Sequence, residues 1–268
     1  DKLENTGARV ADCFGIDAEA LNNDGSLAEK KDVLEFRLEK MKKRLNGTNG
    51  LHIKTQYGTD LKMNLRPSCE RKVEIDRGVI YPGAGDNLPG GEIYTTPDEE
   101  GVDGVLMLPV LQDEVSREQG VDELVRLTIR RGKIVKIDGG ESAEKLRRYL
   151  ESHSKTEKNP ESVIQCSEVA FGGNSNARSK VKNPAGTYKE SGISFIEAEK
   201  RLGTMHIAFG SSKHGEEGVE GHTESNVHLD FVIPRAGLSV SVFKSDSDWR
   251  TGSGGEKLID EGRWRFLE

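Results

Sequence analysis

Three cysteines in 268 residues, Cys13, Cys69 and Cys166, are too few and too scattered for a disulfide framework or a cysteine metal site. That usage suits a reducing compartment, so a cytoplasmic protein is expected. No run approaches the ~18 apolar residues of a membrane span, and no secretory signal is visible. The formal charge of −7 is made of interspersed acids and bases, which favours solubility and leaves no basic footprint for nucleic acid. Neither a P-loop nor a G-x-S-x-G elbow occurs. Gly83-Ala-Gly85 lacks the third glycine of a dinucleotide fingerprint. No internal repeat is evident. Asn46-Gly47-Thr48 fits a glycosylation acceptor in form, but without an export signal it reads as a turn.

What is present can build a core. Hydrophobic residues are 34% of the chain, and with 31 glycines the share is about 46%, within the globular range of roughly 45–50%. Charged residues, at 32%, mark a heavily solvated surface. Ser26 and Glu29 form a capping-box pattern, followed by Leu34, Leu38, Met41 and Leu45 at helical spacing. After residue 50 the period becomes that of strands: Leu51, Ile53 and Thr55, then Leu61, Met63 and Leu65 across a Gly58 turn. A second hairpin is expected from Leu127 to Ile137 through Arg131-Gly132, then a helix carrying Ala143, Leu146 and Leu150. The expected fold is α+β. Residues 51–268 form an antiparallel-rich mixed-sheet metal-binding domain. Residues 1–50 read as a small helical remnant. Because the chain opens on Asp1, it is expected to be a fragment.

The chemistry concentrates in four segments. In Asn226–Ile233, alternation puts Val227, Leu229, Phe231 and Ile233 on one face and His228 and Asp230 on the other, about 6–7 Å apart. In Gly203–Gly210, His206 lies between Thr204 and Ala208, opposite Met205, Ile207 and Phe209. In Gln165–Gly172, Glu168 lies between Cys166 and Ala170. Each places an ionisable group among small side chains, with room for an ion, and a shared cation would remove the cost of burying it unpaired. Glu92 follows Gly90-Gly91, which permit close backbone approach.

In this order and spacing, from about Leu51 to Ile233, the segments Asn87–Glu92, Glu168, Gly203–Gly210 and His228–Asp230 resemble the aminopeptidase T family of metallopeptidases. That resemblance implies a cytoplasmic homodimer that removes N-terminal residues from peptides, with residues 1–50 the helical remnant of a preceding α/β domain. It also implies that Glu92, Glu168, His206, His228 and Asp230 hold two divalent ions, whether zinc, cobalt or manganese. The chain departs from the family pattern between Phe209 and Phe231, where no tyrosine occurs and Ser211-Ser-Lys213-His214 follows the histidine motif.

Three readings follow. In a hydrolase, metal-activated water attacks the peptide, Glu168 or Glu92 is the base if it is not a ligand, and Lys213 or His214 replaces the tyrosine. In the second reading, His206, His228 and Asp230 are the two-histidine, one-carboxylate set of a non-haem Fe(II) ring-cleaving dioxygenase acting on a small molecule. The third is a ligand-binding member of the fold without catalysis. The loop Ser211–Ser225, with His214 and His222, is a candidate substrate gate. Trp249 and Trp264 are expected to fasten the last strands to the core.

Overall fold

A computed structural model describes residues 33–65, 71–78, 87, 89–108, 124–177, 181–182, 188–189, 195–214, 221–233, 235, 237–251 and 254–266. The Ser26/Glu29 cap, Cys13 and Cys69 lie outside the described residues.

Helix α1 (Val33–Leu45) carries Glu35 in its first turn and Lys42, Lys43 and Arg44 in its last, complementing the helix dipole. Its Leu34, Leu38, Met41 and Leu45 are buried in the same core cluster as the strands that follow. The first hairpin is β1 (Gly50–Lys54) with β2 (Asp60–Asn64). Leu51 pairs with Met63, and Ile53 with Leu61. The second is β6 (Val125–Arg130) with β7 (Lys133–Asp138), turning at Arg131-Gly132. Helix α2 (Glu141–Ser154) follows and buries Ala143, Leu146 and Leu150. These elements match the sequence periods, because each apolar face finds a partner in one shared core.

The hairpins join β5 (Val102–Leu108), β13 (Ser239–Phe243), β14 (Glu256–Asp260) and β15 (Arg263–Trp264) in an eight-stranded sheet. Its order is β15-β14-β13-β1-β2-β5-β6-β7. A second sheet contains β3 (Glu74–Asp76), β4 (Glu92–Thr95), β8 (Cys166–Gly172), β11 (Met205–Gly210) and β12 (His228–Ile233). Its order is β12-β11-β8-β4-β3. A two-stranded ladder, β9 (Val181–Lys182) with β10 (Tyr188–Lys189), completes the strands. Every ladder between named strands in both main sheets is antiparallel. The protein is thus a mixed α+β fold with antiparallel sheets. No helix among the described residues is long and apolar enough to cross a membrane.

The central strands β8 and β11 are buried at every position. Their Val169, Phe171, Met205, Ile207 and Phe209 join the core, so Glu168 and His206 are carried on the opposite face. Burial pushes the Cys166 thiol up to about 12. Alkylation at Cys166 is therefore expected only on unfolding, as read by peptide mapping. Labelling of the native protein at that position would refute this.

Two of the late aromatic anchors are visible. Trp264 is 3% exposed and part of the core. Trp249, on α4 (Asp246–Thr251), lies so close to β1 that a Cβ at Gly50 would meet its Cβ at 2.5 Å. Gly90 makes the backbone approach expected of it, since a Cβ there would lie 2.1 Å from the Gly78 amide. Gly210 ends β11 at φ +116°, and an added Cβ would stand 2.0 Å from the Val227 carbonyl oxygen. Gly210→Ala is expected to cost about 2 kcal/mol or more, through strain at positive φ plus the clash. Urea unfolding would check this, and a loss below ~0.5 kcal/mol would show that the β11–β12 edge adapts freely.

Candidate metal centre

The five-stranded sheet brings the acids and imidazoles together through its register. Ala208 pairs with Glu168 on one side and Asp230 on the other, so a methyl group separates two carboxylate-bearing positions. His206 pairs with Ala170, which also faces Tyr94. Glu92 pairs with Gly172 and with Asp76. Small residues beside each donor leave the space into which the long side chains converge. The β8–β11 ladder shifts register between Ala208 and Phe209, an irregularity of the kind that re-aims side chains next to sites.

The convergence is tight. His206 Nε2 lies 3.1 Å from Glu168 Oε1, 3.5 Å from Glu92 Oε2 and 3.8 Å from Asp230 Oδ1. His228 Nε2 lies 3.4 Å from Glu168 Oε2 and 3.3 Å from Asp230 Oδ1. His228 Nδ1 is 2.8 Å from the Ser211 carbonyl oxygen. Donating its proton there aims Nε2 at the cluster. His214 Nδ1 is 3.3 Å from Glu168 Oε2, and its Nε2 is 3.3 Å from Thr96 Oγ1. Glu92, Glu168 and His206 are buried, whereas the His228 side chain is 34% exposed. Lys213 is exposed on the neighbouring loop.

The electrostatics follow from burial and pairing. Burial pushes Glu168 up, but the hydrogen bonds from His206 and His228 outweigh it and hold Glu168 well below the usual carboxylate range. Asp230 is held low in the same way by His228, against its burial. Burial pulls both imidazoles down, yet the carboxylates prevail. His206 rises to about 9, through Glu168, Glu92, Glu199 and Asp230, and His228 to about 11, through Asp230 and Glu168. The surrounding carboxylates thus favour the charged form of both rings.

That demand for positive charge fits a metal ion. So do Glu92 Oε2 and Asp230 Oδ1, buried carboxylate oxygens with no aligned hydrogen bond. The donor atoms form two triads that share Glu168, namely Glu92–Glu168–His206 and Glu168–His228–Asp230. Within each, all atoms lie within 4.8 Å of one another. Imidazole with carboxylate suits iron, zinc and manganese alike, so geometry alone does not choose the reaction.

Comparison with known proteins adds the family. Residues 2–242 match the family described as NicX: 2,5-dihydroxypyridine 5,6-dioxygenase. The chain belongs to the NicX family. A 2,5-dihydroxypyridine 5,6-dioxygenase of Pseudomonas putida is 31% identical over 108 residues, 40% of this chain and 30% of that protein. The solved structure of 2,5-dihydroxypyridine dioxygenase from Pseudomonas putida KT2440 superposes with a TM-score of 0.64 at 19% identity. It covers 87% of this chain and 60% of the other. Wild-type AmpT from Thermus thermophilus superposes at 0.53 with 24% identity, over 87% of this chain and 55% of its own. The chain therefore spans less than two thirds of each of these relatives.

NicX membership overturns the aminopeptidase T assignment, and with it the expected metallo-aminopeptidase and its peptide substrate. The likeness to AmpT is one of fold. The physical reason is that the motifs encode a sheet and its donors, and the same donors serve hydrolysis and oxygen chemistry. The expected pair of zinc, cobalt or manganese ions is corrected as well, because the clusters are consistent with a single ferrous site in a dioxygenase family.

Sequence reasoning missed Lys200, Glu199 and Asp76, which lie behind Glu92. Lys200 Nζ contacts Glu92 Oε1 and is within 3.8 Å of Glu199 and 3.9 Å of Asp76. In sequence Glu197-Ala-Glu-Lys-Arg201 reads as a solvated run. The signal was weak: only the proximity of Thr204 and the His206 strand hinted that it is enclosed. The candidate gate is tied down where it is described. Gly221 N donates to the Ser212 carbonyl at 3.1 Å, and His222 N donates to Glu99 Oε1 at 2.8 Å. Glu99 is in turn held by Arg71 at 2.6 Å. Residues 215–220 of that loop lie outside the described residues.

Proposed function

We propose that this chain carries the iron site of a non-haem Fe(II) dioxygenase that opens a dihydroxylated pyridine ring. The observation supporting this most is the meeting of two imidazoles and two carboxylates, from β8, β11 and β12, at one enclosed point in a NicX-family chain. Glu168, His206, His228 and Asp230 would hold the ion. Ferrous iron, when bound, supplies the one-electron chemistry by which dioxygen can react with a closed-shell ring.

The chain's own residues do the rest. Ser211 fixes the His228 ring through its carbonyl. The buried faces of β8 and β11 keep water from the donors. His214, poised between Glu168 Oε2 and Thr96 Oγ1, takes the proton of a ring hydroxyl at Nδ1 or Nε2. Its ring centroid is 5.4 Å from that of Tyr94 and 5.7 Å from that of His228, so a flat heteroaromatic ring would meet aromatic edges there.

The test is oxygen uptake by anaerobically iron-loaded protein given 2,5-dihydroxypyridine, with one dioxygen consumed per ring and both labelled oxygen atoms found in the product. No uptake by folded, iron-loaded protein would end the proposal. His214→Ala is expected to lower kcat by about 100-fold, the scale of a lost general acid–base group, while metal content stays unchanged. Unaltered kcat would remove His214 from the reaction.

A further inference from the structure

The two triads pose a question of number, since on donor atoms alone each can take an ion. One of them already faces a cation that belongs to the chain. The Lys200 ammonium rests on Glu92 Oε1, with Glu199 and Asp76 completing an acidic shell at 3.8 and 3.9 Å. Lys200 is only 2% exposed. A buried ammonium is costly unless paired, and here three carboxylates compensate it.

The backbone enforces the placement. Helix α3 (Phe195–Lys200) is six residues long, and Glu197, Glu199 and Lys200 are all buried. Thr204 Oγ1 lies 3.0, 3.1 and 2.8 Å from the carbonyl oxygens of Ala198, Glu199 and Arg201, which share its single hydroxyl proton. The Lys200 carbonyl accepts from Asn174 N at 2.8 Å. The end of the helix is thus anchored to the site, and the ammonium is held in position.

We infer that the Lys200 ammonium stands in for a second metal ion, neutralising Glu92 and fixing the centre at one ion among Glu168, His206, His228 and Asp230. The inference rests on the metal-site reading above. Like charge excludes a further cation from the Glu92 triad, and the enclosed position leaves little water to screen that repulsion. Glu92 then serves as the partner of Lys200, and Lys200 acts as a positioning residue.

The experiment counts ions. Metal-free full chain is dialysed anaerobically against Co(II), and the bound metal is measured by elemental analysis. Mn(II) loading, read by electron paramagnetic resonance, reports whether two ions sit side by side. Wild-type protein is expected to take one ion, Lys200→Arg one, and Lys200→Ala two, with spin-coupled Mn(II) signals only in the last. One ion in folded Lys200→Ala, or two in the wild type, would overturn the inference.

Should Lys200→Ala not fold, Glu92→Gln decides. It keeps the shape and removes the charge that Lys200 neutralises. Its Co(II) affinity is expected within about threefold of wild type, because Glu92 is not a ligand. A loss of 30-fold or more would make Glu92 a ligand and defeat the inference. Uptake of no metal by the wild type is a separate result: it would remove the iron reading itself, and this inference with it.

Discussion

Glu168→Gln is expected to weaken Co(II) or Fe(II) binding by at least ~100-fold and to destabilise the metal-free protein by about 3 kcal/mol. Glu168 is 5% exposed and lies within 3.1–3.4 Å of nitrogens of His206, His214 and His228. Glutamine preserves the volume and one acceptor oxygen while removing the charge. In the metal-free state, two protonated imidazoles then lose the carboxylate that they share. Removing one member of a buried charged set typically costs about 3–5 kcal/mol, since its partners stay buried without compensation. In the metal-bound state, the ion loses the one donor common to both triads. Urea unfolding of stripped protein measures the first effect, and equilibrium dialysis with Co(II) measures the second. Glu100→Gln, which weakens the exposed Arg131–Glu100 pair, should stay within ~0.5 kcal/mol. Metal affinity for Glu168→Gln within threefold of wild type would remove Glu168 from the centre.

The strands and the face that carry these donors were largely legible in the sequence. Period-two alternation identified β8, β11 and β12 and assigned Glu168, His206 and Asp230 to the face opposite Val169, Ile207 and Phe231. Core burial follows that division. The small neighbours noted in sequence acquire a reason from the register: Ala208 sits between Glu168 and Asp230, and Ala170 between His206 and Tyr94. The two hairpins and α2 were readable for the same reason, since one face of each is apolar and the core accepts it.

What alternation cannot encode is chemistry. The motif order was read as peptide hydrolysis because donors and scaffold are common to the two activities, and imidazole with carboxylate binds several metals. Lys200 stayed hidden for a different reason. A lysine in a charged run signals solvent, and only the three-dimensional closure of α3 on Glu92 turns it inward. The gate was a third kind of case. A Gly- and Glu-rich loop looks free in sequence, but backbone bonds from Gly221 and His222 pin its described second half to Ser212 and Glu99.

Metal-free and metal-loaded protein should respond to pH in opposite directions. His206 rises to about 9 and His228 to about 11 in the folded, metal-free state, whereas an unfolded histidine titrates near ~6.5. A raised folded value means stability that is complete below about pH 6.5 and lost as pH climbs through the folded values. For His206, which is 2% exposed, that loss is on the order of 3 kcal/mol by about pH 9. The depressed carboxylates Glu168 and Asp230 act at the other end, where stability is lost as pH falls below the ordinary carboxylate range. Stripped protein should therefore be most stable near pH 5–6.5. A bound ion needs both imidazoles neutral, so binding displaces up to two protons. Affinity should then climb by up to about 100-fold per pH unit below about pH 9, and loaded protein should gain relative stability over the range in which stripped protein loses it. Calorimetric titration with Co(II) at pH 6, 7 and 8, in buffers of differing ionisation enthalpy, counts the protons released. Melting curves of both forms at the same pH values give the two slopes. A count near zero, or parallel slopes, would mean that the imidazoles are already neutral in the metal-free protein and that the carboxylates around them do not govern the site.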